Sequence, residues 1–134
     1  MLPIKLPVEE FTTPDPITVT EDIALDELIM LMENAGVRHL PVVGQGQVVG
    51  IISDRDMRHF SGLSDAEKYQ VCASDIMSPN PIIVSSKAPL VEVAFLISEK
   101  KVGSVIVVEG DQLLRIFTAT DALNALVEII RKSE

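Results

Sequence analysis

The sequence contains little that could cross-link the chain or hold it in a membrane. Cys72 is the only cysteine, which excludes an intrachain disulfide and indicates a buried structural thiol rather than a nucleophile. There is no tryptophan, and no apolar run approaches the roughly 18 residues of a membrane-spanning helix. Residues 1–12 include prolines and acids without a continuous apolar stretch, so they lack the pattern of a signal peptide. These absences predict a cytoplasmic protein.

Basic residues are also scarce. The 134 residues include 11 lysines and arginines against 20 acidic residues, for a net charge of −9. Nucleic acids and anionic membranes need a basic face, so neither is an expected partner, whereas a small phosphorylated ligand needs only a local basic pocket. His39 and His59 lack the clustered ligands of a zinc site, and no nucleophile or phosphate-loop motif occurs. We therefore expect no required metal or cofactor and no enzyme activity.

What the sequence does contain is an internal repeat. Residues 13–57 align without a gap onto residues 78–122 at an offset of 65, with 13 identical residues in 45 positions. Each half would be marginally stable alone, so two like units are expected to share a core.

Hydrophobic periodicity predicts the order β-α-β-β-α in each repeat. In the first repeat the predicted elements are a strand at 16–19, a helix at 25–35 ended by Gly36, an antiparallel pair of strands at 40–43 and 48–52, and a helix carrying Arg55 and Met57. In the second they are a strand at 82–84, a helix opened by Pro89, strands at 105–108 and 113–117 around a Gly110-Asp111 turn, and a final helix at 121–132. Ser64 and Glu67 have the spacing of a capping box, which predicts a connecting helix.

These elements define four segments. We assign residues 1–12 to an N-terminal extension, 13–60 to the first repeat, 61–76 to the connecting helix, and 77–134 to the second repeat with its C-terminal helix.

A hydroxyl and a carboxylate three residues apart follow the last strand of each repeat, as Ser53 with Asp56 and Thr118 with Asp121. The carboxylate can accept two hydrogen bonds from a vicinal diol such as a ribose, and the hydroxyl together with helix N-terminal amides can hold a phosphate. The alternative is helix capping, with the hydroxyls as N-caps and the aspartates as their N3 partners. Taken alone, the pattern favours capping.

The architecture changes that balance. Each of the two β-α-β-β-α units opens on Pro-Ile-x-Val, continues through a strand of the Val37–Val43 type and ends on Ser/Thr-x-x-Asp. Over Thr13 to about Lys132, this arrangement resembles a tandem pair of cystathionine β-synthase (CBS) domains. The resemblance implies an α/β fold of two pseudo-symmetric repeats packed through their sheets, acting as a stand-alone, often dimeric, regulatory module of the Bateman type. It also implies that clefts between the repeats bind an adenosine-containing ligand such as AMP, ADP, ATP, S-adenosylmethionine or NAD.

The resemblance assigns roles to particular residues. It implies that Asp56 and Asp121 hold the ribose, that Ser53 and Thr118 contact phosphate or shape the turn, and that the strands around Ile17 and Ile82 form an apolar slot for adenine. Arg115 departs from the pattern, because the family prefers glycine at this position. Its side chain would either supply a positive group or narrow the cleft.

The two repeats differ in charge. Arg38, His39 and Arg55 align with Gly103, Ser104 and Thr120. The first repeat is therefore expected to hold the phosphates of a charged nucleotide, unless its arginines are ordinary surface charges.

The candidate ligand-binding residues are thus Ile17, Arg38, His39, Pro41, Ser53, Arg55, Asp56, Ile82, Thr118, Thr120 and Asp121. A ligand-free dimerisation or protein-interaction module, in which the hydroxyls and aspartates only cap helices, is the alternative. We also expect a homodimer that buries apolar side chains of the helices at 25–35 and 123–130. An effector protein is the remaining candidate partner.

Overall fold

The computed structural model describes residues 6–110 and 112–133. Its elements in chain order are a 3₁₀ helix (Val8–Phe11), β1 (Thr13–Pro14), β2 (Val19–Thr20), α1 (Leu25–Ala35), β3 (His39–Gly44), β4 (Gln47–Ser53), α2 (Asp54–Arg58), α3 (Asp65–Gln70), α4 (Ala73–Ile76), β5 (Ser78–Pro79), β6 (Ile83–Ser85), α5 (Leu90–Lys100), β7 (Ser104–Glu109), β8 (Gln112–Thr118) and α6 (Ala119–Ser133). Asp111 of the predicted second turn lies outside the described residues.

These elements form two compact units. We call residues 17–81 the first repeat unit, and residues 6–16 with 82–133 the second repeat unit. Each unit has one four-stranded sheet, in the order β2-β3-β4-β5 in the first and β6-β7-β8-β1 in the second. The two sheets have the same topology and the helices flank them, so the predicted α/β class is confirmed.

The repeat is also visible in backbone conformation. Positive φ angles occur at matched positions, namely Asp15 and Asn80, Gly36 and Lys101, and Gln45 and Gly110. β3 and β4 are antiparallel as predicted, and their loop has positive φ at both central residues, Gln45 and Gly46. That combination is the type I′ turn that suits the twist of a two-residue hairpin.

The opening strand of the first repeat is shorter than predicted. The sequence predicts a strand at 16–19, whereas β2 begins at Val19 and is one residue shorter than β6. In the second unit the amide of Ile106 donates to the carbonyl of Ile82 at 2.9 Å. The matching residue in the first unit is Pro41, which has no N–H to donate to the Ile17 carbonyl. Parallel pairing therefore starts later, at Val19 opposite Val42.

Each unit has its own apolar core. In the first unit Leu25, Leu28 and Met32 of α1 are buried in that core. The prediction that a homodimer buries the apolar side chains of this helix is therefore wrong for these three residues. Met30 on the same helix is exposed. In the second unit the core centres on Phe117, and α6 contributes Ala125 to it.

The two units exchange the segments that precede their repeats. Residues 6–14 join the second unit, where the Val8 amide donates to the Ala88 carbonyl at 2.8 Å and β1 pairs with β8. Residues 71–79 join the first unit in the same way: the Ala73 amide donates to the Ile23 carbonyl at 2.9 Å and β5 pairs with β4. Each sheet is therefore completed by the segment that leads into the other repeat.

The contact between each sheet and its added segment involves side chains of different sizes in the two units. Gly50 of β4 is buried, and a Cβ there would collide with the Sδ atom of Met77. In the second unit the corresponding residues are Arg115 and Thr12, so a large residue on the strand faces a small one on the segment. The glycine in the first repeat is thus explained by the close approach of Met77.

Candidate functional site

The first candidate site is built on the turn between β4 and α2. The backbone N–H of Ser53 donates to Oδ2 of Asp56 at 2.9 Å, and the N–H of Asp56 donates to Oγ of Ser53 at 3.2 Å. Both side chains are half-buried. The N–H of Asp54 donates to the carbonyl of Arg38 at 2.9 Å, which holds the residue before β3 beside this turn.

The turn between β8 and α6 repeats this arrangement. The N–H of Thr118 donates to Oδ2 of Asp121 at 2.9 Å, and the N–H of Asp121 donates to Oγ1 of Thr118 at 3.1 Å. The N–H of Ala119 donates to the carbonyl of Gly103 at 3.0 Å. Helix capping, the alternative weighed from the sequence, is therefore present in both repeats.

Capping leaves part of each carboxylate available. The capping hydrogen bond is accepted by Oδ2 of Asp56 and of Asp121, so the cap does not use Oδ1 of either carboxylate. A carboxylate offers about four lone-pair positions, so one oxygen can cap a helix while the other accepts from a ligand. Capping and diol binding are compatible roles for these two residues.

The charged residues around the two turns differ. Arg38 lies before β3 and Arg55 lies in the first turn of α2, and both are exposed. Arg58 is exposed as well and pairs with Asp54 at 3.5 Å. The second unit has Gly103 and the exposed Thr120 where the first has Arg38 and Arg55. The structure therefore brings two arginines to the first turn and none to the matching positions of the second.

The remaining predicted residues lie on the strands next to these turns. His39 is half-buried in β3, opposite Ser53 of β4. Ile17 is exposed, whereas Ile82 is half-buried against the core of the second unit. The Pro41 side chain is fully buried in β3 and cannot contact a ligand directly. Pro41 affects the site through its backbone: because it has no N–H, the Ile17 carbonyl lacks the donor that Ile106 provides to the Ile82 carbonyl. The sequence analysis did not identify this carbonyl, although Pro41 opposite Ile106 in the repeat alignment was a signal for it.

Arg115 has a role that the sequence analysis did not anticipate. Its Nη1 donates to the carbonyl of Glu9 at 3.2 Å and to Oγ1 of Thr12 at 3.4 Å. Its Nε is buried, and no partner for it occurs in the described part of the chain. Beside it, Lys87 Nζ lies 2.7 Å from Oε1 of Glu9, and the pKa of Lys87 is raised by that hydrogen bond and charge. Arg115 thus fastens residues 9–12 to the second unit.

Among the described residues, neither a metal-binding cluster nor a membrane-spanning helix is present. No group of three or more histidine, cysteine or acidic side chains there could hold a metal ion. Among the helices in residues 6–110 and 112–133, none is long and apolar enough to cross a membrane. Cys72 is half-buried, not fully buried as predicted, and its Sγ donates to Oδ2 of Asp75 at 3.3 Å.

Comparison with known proteins identifies the repeat. A family model described as the CBS domain matches residues 8–62 and residues 73–128. A curated relative, an inosine-5′-monophosphate dehydrogenase of Korarchaeum cryptofilum, is 32% identical over 114 residues, which are 84% of this chain and 23% of that protein. The chain spans between 23% and 48% of the length of the curated relatives it matches.

Solved structures agree with the family match. CBSX2, a CBS-pair protein of Arabidopsis thaliana, was solved in complex with AMP; it has a TM-score of 0.78 and 27% identity, and the match covers 92% of this chain and 98% of that one. The CBS domain pair of protein MJ0100 was solved with 5′-methylthioadenosine and S-adenosyl-L-methionine. Its TM-score is 0.80 and its identity 25%, with 94% of this chain and 98% of that one covered.

Proposed function

We propose that this chain, which belongs to the CBS domain family, is a non-catalytic regulatory module that binds an adenosine-containing ligand. The observation that carries the proposal is the Ser53–Asp56 turn, where one oxygen of a half-buried carboxylate remains available beside two exposed arginines. The ligands of the two similar structures, AMP in one and 5′-methylthioadenosine with S-adenosyl-L-methionine in the other, have adenosine in common.

Each part of such a ligand has a counterpart in the first repeat unit. Oδ1 of Asp56 would accept from the ribose diol, as the open oxygen of the capping carboxylate. The Ile17 carbonyl would accept from the amino group of adenine, because Pro41 supplies no competing N–H. Arg38 and Arg55, which lie on either side of the β4–α2 turn in sequence, would bind phosphate oxygens through planar guanidinium groups.

The second repeat unit is proposed as the weaker site. Thr118 and Asp121 offer the same hydroxyl and open carboxylate oxygen, but Gly103 and Thr120 bring no positive charge. The carbonyl of Ile82 is already engaged by the Ile106 amide. A ligand there would lack both the phosphate contacts and this adenine contact.

Regulation rather than catalysis is proposed because the residues of both turns are diol and phosphate binders, with no activated nucleophile among them. The chain covers only 23% of the dehydrogenase relative, so the activity of that protein is not assigned to this chain. A cytoplasmic location and an effector protein that responds to the ligand are part of the same proposal.

The fully formed capping boxes favour a second candidate, a ligand-free interaction module in which Ser53, Asp56, Thr118 and Asp121 only stabilise helices. Calorimetry with the variants Asp56→Asn and Asp121→Asn separates the two candidates. Asparagine retains an oxygen that can cap the helix but removes the charge and one acceptor.

If the first turn binds the ribose, Asp56→Asn should weaken AMP binding about tenfold to a hundredfold, since a hydrogen bond to a charged group contributes ~1.5–3 kcal/mol. Asp121→Asn should have a smaller effect. If neither the wild type nor the variants release heat on titration with AMP, ATP or S-adenosylmethionine, the interaction module is supported.

The phosphate contacts are tested by the double variant Arg38→Ala with Arg55→Ala, titrated with AMP at low and high salt. It should bind at least tenfold more weakly than the wild type, and its affinity should lose most of its salt dependence. Lys100→Ala with Arg131→Ala is the matched control, because it removes the same charge from exposed positions on α5 and α6. Equal losses in the two double variants would show that Arg38 and Arg55 act only through net charge.

A further inference from the structure

The segments that complete the two sheets are attached through the same backbone pattern. We call residues 6–14 the strap of the second repeat unit; residues 71–79 occupy the matching place in the first. β1 of the strap pairs with β8, as β5 pairs with β4. Four backbone hydrogen bonds of 2.7–2.9 Å at matched positions add to this pairing, from N–H to carbonyl: Val8 to Ala88, Leu90 to Leu6, Ala73 to Ile23 and Leu25 to Val71. The side chains of the two segments, by contrast, differ.

A single buried side chain anchors the strap. Val8 is completely buried in the core of the second unit, and it is the one buried residue among the described residues of the strap. Leu6 and Phe11 pack against the same core but remain partly accessible. The matching segment of the first unit has two buried residues, Ala73 and Ile76. The pocket filled by Val8 therefore fixes the register of the strap on the second unit.

The contact next to β1 is polar, whereas its counterpart in the first unit is apolar. In the first unit Met77 approaches Gly50 so closely that a Cβ at position 50 would collide with it. In the strap, Thr12 takes the place of Met77, and Arg115 reaches over it from β8. The guanidinium donates to the Glu9 carbonyl at 3.2 Å and to Oγ1 of Thr12 at 3.4 Å.

These polar contacts can be exchanged for contacts with water. Lys87 Nζ lies 2.7 Å from Oε1 of Glu9, but 70% of the Lys87 side chain is exposed, so solvent competes for this ion pair. Nε of Arg115 is buried and has no acceptor among the described residues. A buried donor without a partner is unfavourable, and it would be hydrated if the strap moved away. Opening of the strap thus recovers part of what its contacts contribute.

We propose that the strap is displaceable: it detaches as one element while the rest of the second repeat unit stays folded, and the groove it leaves accepts an extended segment of a partner protein. We call the surface under the strap, formed by the Val8 pocket, Lys87, Arg115 and the edge of β8, the strap groove. An unpaired strand edge of this kind is a template for another chain.

The strap itself shows the chemistry of the partner segment. That segment needs an apolar side chain of valine size for the pocket, followed by a carboxylate for Lys87, as in Val8-Glu9. Its backbone supplies a carbonyl for Arg115 and a short antiparallel pairing with β8. In strand addition of this type the main-chain hydrogen bonds give affinity and the side-chain pocket gives specificity.

Amide hydrogen exchange of the wild type, followed by NMR, tests the detachment. The amides of Val8 and Leu90 donate the two hydrogen bonds that join the strap to its unit, so one opening frees both. Their protection factors should be equal to each other, and about tenfold or more below those of the matched amides of Ala73 and Leu25. The Ile106 amide, inside the same unit, should be protected most strongly. Protection of Val8 and Leu90 as strong as that of Ile106 would overturn the proposal.

Fluorescence polarisation with a labelled peptide of residues 6–14 tests the strap groove. In the wild type the attached strap competes at an effective concentration of the order of millimolar, so the peptide should bind weakly. Val8→Asp in the full chain places a charge in the pocket and should release the strap, which should raise the affinity for the peptide about tenfold or more. The same peptide carrying Val8→Asp is the matched control and should not bind.

Circular dichroism and the protection of the Ile106 amide show whether the Val8→Asp chain is folded, and the milder Val8→Ala should give the same order of affinities. Every copy of these variants carries the weakened strap, so exchange of straps between copies cannot account for the binding. Equal affinity of the peptide for the wild type and both variants, or equal binding of the control peptide, would show that the strap groove does not accept a separate segment.

Discussion

At the scale of single residues, the repeat provides internal controls, because the same backbone position is occupied by two different side chains. Gly36 and Lys101 both follow a helix of 11 residues and both adopt a left-handed conformation, with φ of 66° and 56°. Glycine has no steric penalty there, whereas a lysine is destabilised by its Cβ.

We therefore expect Lys101→Gly to stabilise the protein by about 0.5–1 kcal/mol, and Gly36→Ala to destabilise it by about 1 kcal/mol. No atom lies within 4 Å of a Cβ built on Gly36, so the second effect would come from backbone conformation and not from a collision. Urea denaturation of the two variants measures both free energies of unfolding. If both variants changed the free energy of unfolding in the same direction, the left-handed conformation would not be the cause of these effects.

At the scale of elements, the sequence predicted what depends on local pattern. The apolar spacing from Leu25 to Met32 with Gly36 after it predicted α1, and the β-rich runs around Gln45 predicted the first hairpin. The two-residue strands β1 and β5 were not predicted, because each contains a proline and exists only through pairing with a strand distant in sequence.

The site was predictable to the same extent. The spacing of Ser53 and Asp56 indicated the turn correctly, since a capping box is a local motif. The attachment of Arg115 to Glu9 joins residues more than 100 positions apart, and no local pattern signals it. The open carbonyl of Ile17 likewise depends on pairing between strands.

Pro41 sets the length of β2 and, through it, the availability of that carbonyl. In the variant Pro41→Ile, the new amide should donate to the Ile17 carbonyl, as Ile106 does to Ile82. β2 should become as long as β6, and AMP binding should weaken because the adenine contact is lost. Slowed hydrogen exchange at position 41 together with calorimetry checks this. Unchanged affinity with a protected amide would show that the Ile17 carbonyl does not contact the ligand.

Two helix caps also contribute to the response to acid. The N–H of Ser64 donates to Oε1 of Glu67 at 3.0 Å, and this hydrogen bond, with a smaller effect of the Ser64 side chain, lowers the pKa of Glu67 below its ordinary value of 4.5. The backbone N–H of Cys72, and to a smaller extent its side chain, lower the pKa of Asp75 below 3.8 in the same way. A carboxylate with a lowered pKa stabilises the folded state above its unfolded-state pKa, and that stabilisation is lost as the pH falls through the folded-state pKa.

We therefore expect the free energy of unfolding to fall as the pH is lowered below 4.5. The fall should be less steep in Glu67→Gln, because glutamine still accepts from the Ser64 amide and does not titrate. Denaturant midpoints measured from about pH 6 to about pH 3 for both proteins give the comparison. Parallel curves would mean that this cap does not contribute to acid sensitivity.

At the scale of the whole molecule, the chain consists of two repeats that share one topology but differ at particular residues. Sheet topology and capping turns recur in both repeat units, and positive φ angles occur at three matched pairs of positions. Arg38, Arg55 and the open Ile17 carbonyl belong to the first unit, whereas the second has Gly103, Thr120 and an Ile82 carbonyl that already accepts from the Ile106 amide. We infer that the first repeat is the one that binds the charged ligand.

The most direct test of ligand binding is a titration of the ¹⁵N-labelled protein with AMP, followed by amide chemical shifts in NMR. Saturable shifts should concentrate on residues 17–18, 38–39 and 53–56, with smaller changes at residues 118–121. The same titration with S-adenosylmethionine shows whether the phosphate is required. Absence of shifts with either compound, or shifts confined to residues 118–121, would contradict binding of an adenosine ligand by the first repeat.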